Sequence, residues 1–145
     1  MKTKIGILVL LGFAIIACNK GKYTTKPQIS FKSISTTILT NPGDELTFNL
    51  TFTDKEGDLK DSIWIERHSK VCPDFVNDTF IYKLPDFPSV SKQSGDISIT
   101  FPYNTAKGIS GCQNKTDTSY FRIYVRDNDG NVSDTLTSPD ITFNK

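Results

Sequence analysis

Histidine is nearly missing from this sequence: His68, between Arg67 and Ser69, is the only one in 145 residues. A histidine-dependent nucleophile would have to draw on that single side chain, and no serine stands in the sharp strand-to-helix motif of an activated nucleophile. Zinc is short of ligands for the same reason, since one histidine and three cysteines are all the nitrogen and sulfur donors available. Paired carboxylates are plentiful enough for glycoside hydrolysis, but a domain this small lacks the long cleft that such work uses. Charge of one sign is lacking as well. Setting aside Lys2 and Lys4 leaves 15 basic side chains against 16 acidic ones, so no basic field exists to hold DNA or RNA. The longest apolar run, Ile5 to Ala17, is too short to cross a bilayer as a helix. These absences predict a noncatalytic protein, with a small hydrolase as the remaining enzymatic alternative.

The apolar run is suited to export instead. Lys2 and Lys4 precede it, and Ile15-Ile16-Ala17-Cys18 closes it, so a positive start, a short apolar core and a small residue follow in the order of a signal peptide. The closing run resembles the lipobox of bacterial lipoproteins, with Ala17 matching the small residue before the cysteine and Ile15 in place of the usual leucine. The resemblance implies cleavage after Ala17, acylation of Cys18 and anchoring of the mature chain to the cell envelope, at the outer membrane. Each methylene of such acyl chains adds about 0.8 kcal/mol of membrane affinity. Residues 1–17 are then the signal, and residues 18–27 a lipidated cysteine and polar tether carrying Lys20, Lys22 and Lys26. Surface lipoproteins of Bacteroidetes place an acidic cluster there; here the residues are basic, and which face of the membrane the domain occupies stays open.

From residue 28 to residue 145 the pattern has period two. Glu45 to Thr53 is the clearest strand, with Leu46, Phe48, Leu50 and Phe52 alternating against polar residues. Gln28 to Ser35, Ser62 to His68, Asp78 to Leu84, Asp96 to Tyr103 and Ser119 to Arg126 follow the same rule. A last strand runs from Val132 to Leu136, breaks at Pro139 and resumes through Ile141 and Phe143. About seven short strands separated by Gly, Pro, Asn and Asp clusters predict an all-β sandwich of antiparallel strands in one domain. Phe52-Thr53-Asp54-Lys55-Glu56-Gly57-Asp58-Leu59 and Val125-Arg126-Asp127-Asn128-Asp129-Gly130-Asn131-Val132-Ser133-Asp134 resemble segments of immunoglobulin-like domains of the cadherin and PKD kind found in Bacteroidetes lipoproteins.

In an immunoglobulin-like sandwich the third and sixth strands are antiparallel neighbours, so the end of the one and the start of the other meet at the same pole. The resemblance therefore implies that Cys72 and Cys112 lie close enough to bridge, and an even count once Cys18 is set aside agrees with that in an exported protein. At the opposite pole, the loop after Thr53 holds Asp54, Glu56, Asp58 and Asp61, and the loop after Arg126 holds Asp127, Asp129, Asn131 and Asp134. Alternate acidic residues around a glycine supply the several oxygens a hard cation needs, and calcium is the natural one outside the cytoplasm. Asp, Asn and Gly are equally what tight turns use for their own backbone geometry. Both readings stand at this point.

Trp64, Tyr120 and Tyr124 share the face opposite the apolar one, with Arg122 and Arg126 nearby, and would make a platform for a glycan or protein ligand. The same residues would be covered if the weak strand from Asp78 and its loop folded over them. Asp61-Ser62-Ile63 and Asp134-Thr135-Leu136 look like O-glycosylation acceptor motifs of Bacteroidetes. The reading is a tethered adhesion or accessory module, the alternative a subunit docked on a larger outer-membrane transporter or surface enzyme.

Overall fold

The computed structural model describes residues 22–74 and 78–145; the expected signal segment and Cys18 lie outside them. Alternating apolar residues leave the chain one way to bury its large side chains, which is to stack two sheets. The strands are β1 (Gln28–Ile34), β2 (Ile38–Leu39), β3 (Glu45–Asp54), β4 (Ser62–Ser69), β5 (Thr79–Lys83), β6 (Gln93–Pro102), β7 (Asp117–Arg126), β8 (Leu136–Thr137) and β9 (Ile141–Phe143). One sheet has the order β1-β3-β6; the other has β2-β9-β7-β4-β5, with β8 also on β7. All pairings are antiparallel except that of β2 with β9. The all-β sandwich is as expected, with the third and sixth expected strands, β4 and β7, side by side.

The alternation decides which side chains meet. Leu46, Phe48, Leu50 and Phe52 of β3 face Ile63 and Ile65 of β4 and Phe121, Ile123 and Val125 of β7, all of them buried. Phe48 ties the layers together, with its ring centroid 5.0 Å from that of Phe121 and 6.4 Å from that of Phe101. Burying a side chain of this size contributes about 1.5–3 kcal/mol, so this single row supplies much of what holds the sheets face to face. A register shift between Phe31 and Ser33 interrupts β1, as bulges do on edge strands.

Three boundaries differ from expectation. The strand expected over Val132 to Leu136 is an isolated bridge, Arg126 to Val132, followed by the two-residue β8. Two backbone bonds flank that bridge, Ser133 N–H to the Val125 carbonyl (3.0 Å) and Asp127 N–H to the Asn131 carbonyl (3.1 Å), and side chains take the other N–H groups: Asp127 accepts from Asn131 at 2.7 Å and Ser133 from Val125 at 3.0 Å. Ile38 and Leu39 form a short edge strand where none was expected. Residues 22–27, which the sequence assigns to the tether, are fastened to the domain. Thr53 donates to the Lys22 carbonyl (2.9 Å), the Lys55 N–H to the Thr24 carbonyl (3.2 Å), and Pro27 is buried. Among the described residues no helix is long and apolar enough to cross a membrane.

Candidate functional site

The acidic pole is built by the end of β3 and the turn after β7. Asp54 closes β3 with its side chain fully buried, and its Oδ2 accepts the N–H groups of Gly57 (2.7 Å) and Asp58 (3.0 Å). This tight loop requires Gly57, whose φ is +77° and where a Cβ would stand 2.1 Å from the Val90 carbonyl oxygen. The Asn128 N–H donates to the Asp58 carbonyl at 3.2 Å and ties the second loop to the first. Asp127, also buried, is brought alongside, with its two oxygens accepting from the backbone and side-chain nitrogens of Asn131.

One oxygen from each of Asp54, Asp58 and Asp127 lies within 4.8 Å of the others. Two carboxylates at that separation repel by about 3 kcal/mol at an effective dielectric near 20, so the trio is at ease only with a proton or a cation among its members. Asp54 Oδ1 and Asp58 Oδ1 are buried and have no hydrogen-bond partner. Burial, then the charges of Asp127 and Asp54, hold the Asp58 carboxyl above its ordinary value; a hydrogen bond to the Asp54 side chain, which a protonated Asp58 can make, and the charge of Asp129 add to this.

The remaining residues of the expected site go elsewhere. Glu56 accepts from Thr25 (3.0 Å) and lies 3.7 Å from Lys55. Asp61 pairs with Arg126 at 2.5 Å, which lowers its pKa, and Asp134 pairs with Lys26 at 2.5 Å. Of the eight residues expected there, the fold gathers Asp54, Asp58 and Asp127, with Asn131 as a buttress and Asp129 at the exposed tip.

On the outer face of the five-strand run, β4 and β7 set Trp64 opposite Tyr124, Glu66 opposite Arg122 and His68 opposite Tyr120. Each opposed pair interacts. The Trp64 and Tyr124 rings are stacked with centroids 5.8 Å apart, His68 and Tyr120 with centroids 5.2 Å apart, and Arg122 lies 3.4 Å from Glu66. The Trp64 indole N–H donates to Ser62 (2.9 Å), and the Tyr124 hydroxyl donates to Glu66 (3.4 Å). Burial and the charge of Glu66 raise the pKa of that hydroxyl. Ile81 of β5 is paired with Trp64 and extends the row to the sheet edge, 53% exposed. The covering strand considered above lies beside β4 rather than over it, and the loop after β5 turns inward, with Phe87 packing on Phe52 at 5.2 Å. Of the two expected glycosylation acceptors, Ser62 is buried and Thr135 exposed.

At the far pole Cys72 and Cys112 form a disulfide, as the strand order implied. Beneath it lies a group that sequence reasoning passed over. Arg67 is fully buried, donating to Asp117 (2.7 Å), Ser119 (3.2 Å) and the Ser110 carbonyl (2.6 Å). Its guanidinium sits 4.2 Å from the centre of the Phe143 ring. Ser69 donates to the other oxygen of Asp117 (2.5 Å) and accepts the Cys72 N–H (2.9 Å), which joins the ion pair to the bridge. Period two would have found Arg67, because it continues the inward parity of Ile63 and Ile65.

No family model and no curated protein matches the chain. Among solved structures it is similar to a β-glucosidase from Listeria innocua in complex with gluconolactone, at 12% identity and a TM-score of 0.41. The match covers 83% of this chain and 16% of that one, so the chain spans a small part of the larger protein.

Proposed function

We propose that the chain is a membrane-anchored, noncatalytic binding or accessory module, tethered through acylated Cys18 and presenting the outer face of β5, β4 and β7 to a protein or glycan ligand. The observation that carries this reading is the row Ile81, Trp64 and Tyr124, of which Ile81 is exposed and the two rings are half-buried, with the Glu66–Arg122 pair beside it. Apolar rings flanked by charged hydrogen-bonding groups are what recognition surfaces use, an anchor for area and polar groups for direction. At the acidic pole the orphaned oxygens of Asp54 and Asp58 fit a hard cation such as calcium, which would stiffen the loops that frame the module.

The test is a pull-down from native membranes with full-length protein, compared with Trp64→Ala/Tyr124→Ala and with Cys18→Ser. Wild type is expected to recover a partner that the double variant loses, and Cys18→Ser to leave the membrane fraction without acyl mass. Recovery of the same partners by the double variant would remove the ligand face from the reading; an unacylated, soluble wild type would remove the anchor.

A second reading, a subunit docked on a larger transporter or surface enzyme, is favoured by the edge of the sandwich where β5 and β6 lie. A groove of about 390 Å³ runs between β5 and β6, with Tyr82, Leu84, Phe87, Ile97 and Ile99 in its walls. Among the described residues β6 is paired on one side only, and an open edge of this kind accepts a partner's strand.

A further inference from the structure

Asp54, Asp58 and Asp127 are spaced as ligands of one cation can be. Two oxygens that each lie roughly 2.4 Å from a calcium ion are at most about 4.8 Å apart, a bound that each pair of the trio meets. The fully buried Asp54 Oδ1 is the second indication, because a buried carboxylate oxygen that meets no donor among the described residues is suited to a positive neighbour. Three carboxylates with water completing the shell make a weak site, with a dissociation constant on the order of 0.1–1 mM, as in extracellular modules.

The residues around this trio are also the ones that grip the segment leading to the expected anchor. Thr53 and Lys55, on either side of Asp54, bind the carbonyls of Lys22 and Thr24. Glu56, two residues beyond Asp54, accepts from Thr25, and Asp134, in the chain that follows the second loop, pairs with Lys26. Repulsion within the trio pushes the two loops apart, and the strap of residues 22–27 is fastened to both. We propose that a calcium ion held by Asp54, Asp58 and Asp127 locks this strap against the sandwich, so that the cation sets how rigidly the domain is held at its membrane end. This rests on the cation reading of the acidic pole given above.

Trypsin reports the strap directly, because cleavage after Lys22 requires the Lys22 carbonyl to leave Thr53. Full-length protein is digested with and without calcium chloride, and calcium binding is followed separately by calorimetry. At ten times the dissociation constant, opening that demands loss of the ion becomes about tenfold rarer, so cleavage after Lys22 is expected to slow by about that factor. Asp58→Asn, at the least buried member of the trio, is expected to lose both binding and protection. Asp54→Asn should do the same while keeping an oxygen for the Gly57 and Asp58 N–H groups. Thr25→Ala/Lys26→Ala is expected to bind calcium as wild type does but to be cleaved quickly with or without it. Calcium binding with no change in cleavage overturns the lock and leaves the site. No calcium binding by wild type overturns both.

Discussion

Arg67 and Asp117 form an ion pair at 2.7 Å in which neither side chain is exposed, directly beneath the Cys72–Cys112 bridge. Burial lowers the pKa of the guanidinium, and Asp117 opposes that only in part with its charge and hydrogen bond. Removing one partner strands a charge away from water, which costs about 3–5 kcal/mol. Asp117→Ala is therefore expected to lose that much in urea unfolding, a large share of the stability of a domain this size. Arg67→Met/Asp117→Leu, which removes both charges, should be markedly less destabilised than Asp117→Ala. Equal losses in the two variants would show that the pair matters through shape rather than charge.

The bridge itself closes a loop with a sequence separation of 40. Restricting the unfolded chain by that much is worth about 4 kcal/mol in the chain-entropy model. Cys72→Ala/Cys112→Ala is expected to fold with a lower urea midpoint, by an amount that approaches this figure. Peptide mapping without reductant should recover the two cysteines as one linked species. Free thiols at both positions would contradict the structure.

Much of this was legible in the alternation. β3, β4, β6 and β7 are long enough for period two to show, and their inward residues are those that the pattern selects. β2 was not legible, because two residues carry no period. β8 and β9 read as one interrupted strand, because only Ser138, Pro139 and Asp140 separate them in the sequence, and both pair with the same side of β7. The acidic pole was legible in composition but not in detail. Asp54 and Asp127 are drawn inward as strand-end residues, while Asp61 and Asp134 have cationic partners, Arg126 and Lys26, that lie 65 and 108 residues away. Nothing local in the sequence announces such partners. Arg67 and Asp117 were legible in principle, since both fall on the core parity of their strands, and a charge at each of two core positions on paired strands is what a buried ion pair requires.

Acid should weaken the fold in a specific window. The Asp61 carboxyl is held below the ordinary range first by the hydrogen bond from Arg126, and Asp44 by the N–H groups of Asn41 and Thr40. A depressed folded pKa means that the unfolded chain binds protons first, so the contribution is present above the ordinary carboxylate value and is lost as pH falls through the folded one. The urea midpoint is expected to hold down to about pH 5 and to fall below about pH 4. Asp44→Asn and Asp61→Asn should each make that fall shallower. High salt should shrink the Asp61 effect, which is an exposed ion pair, more than that of Asp44, which rests on backbone hydrogen bonds. An acid slope unchanged by both substitutions would place the titrating groups elsewhere.

Trp64 and Tyr124 test whether the outer face is ordered before any ligand arrives. Their rings are nearly parallel, 11° apart, and stacked aromatic pairs contribute about 0.5–1.5 kcal/mol beyond the area they bury. A double-mutant cycle over Trp64→Ala and Tyr124→Ala is expected to return a coupling within that range, because each ring loses its neighbour in the single variant. The Trp64 indole also holds Ser62, which accepts its N–H and donates to Asp61 at 3.1 Å. Trp64→Phe should therefore keep most of the stacking while freeing Ser62 and loosening the start of β4. A coupling near zero would mean that the rings do not order each other.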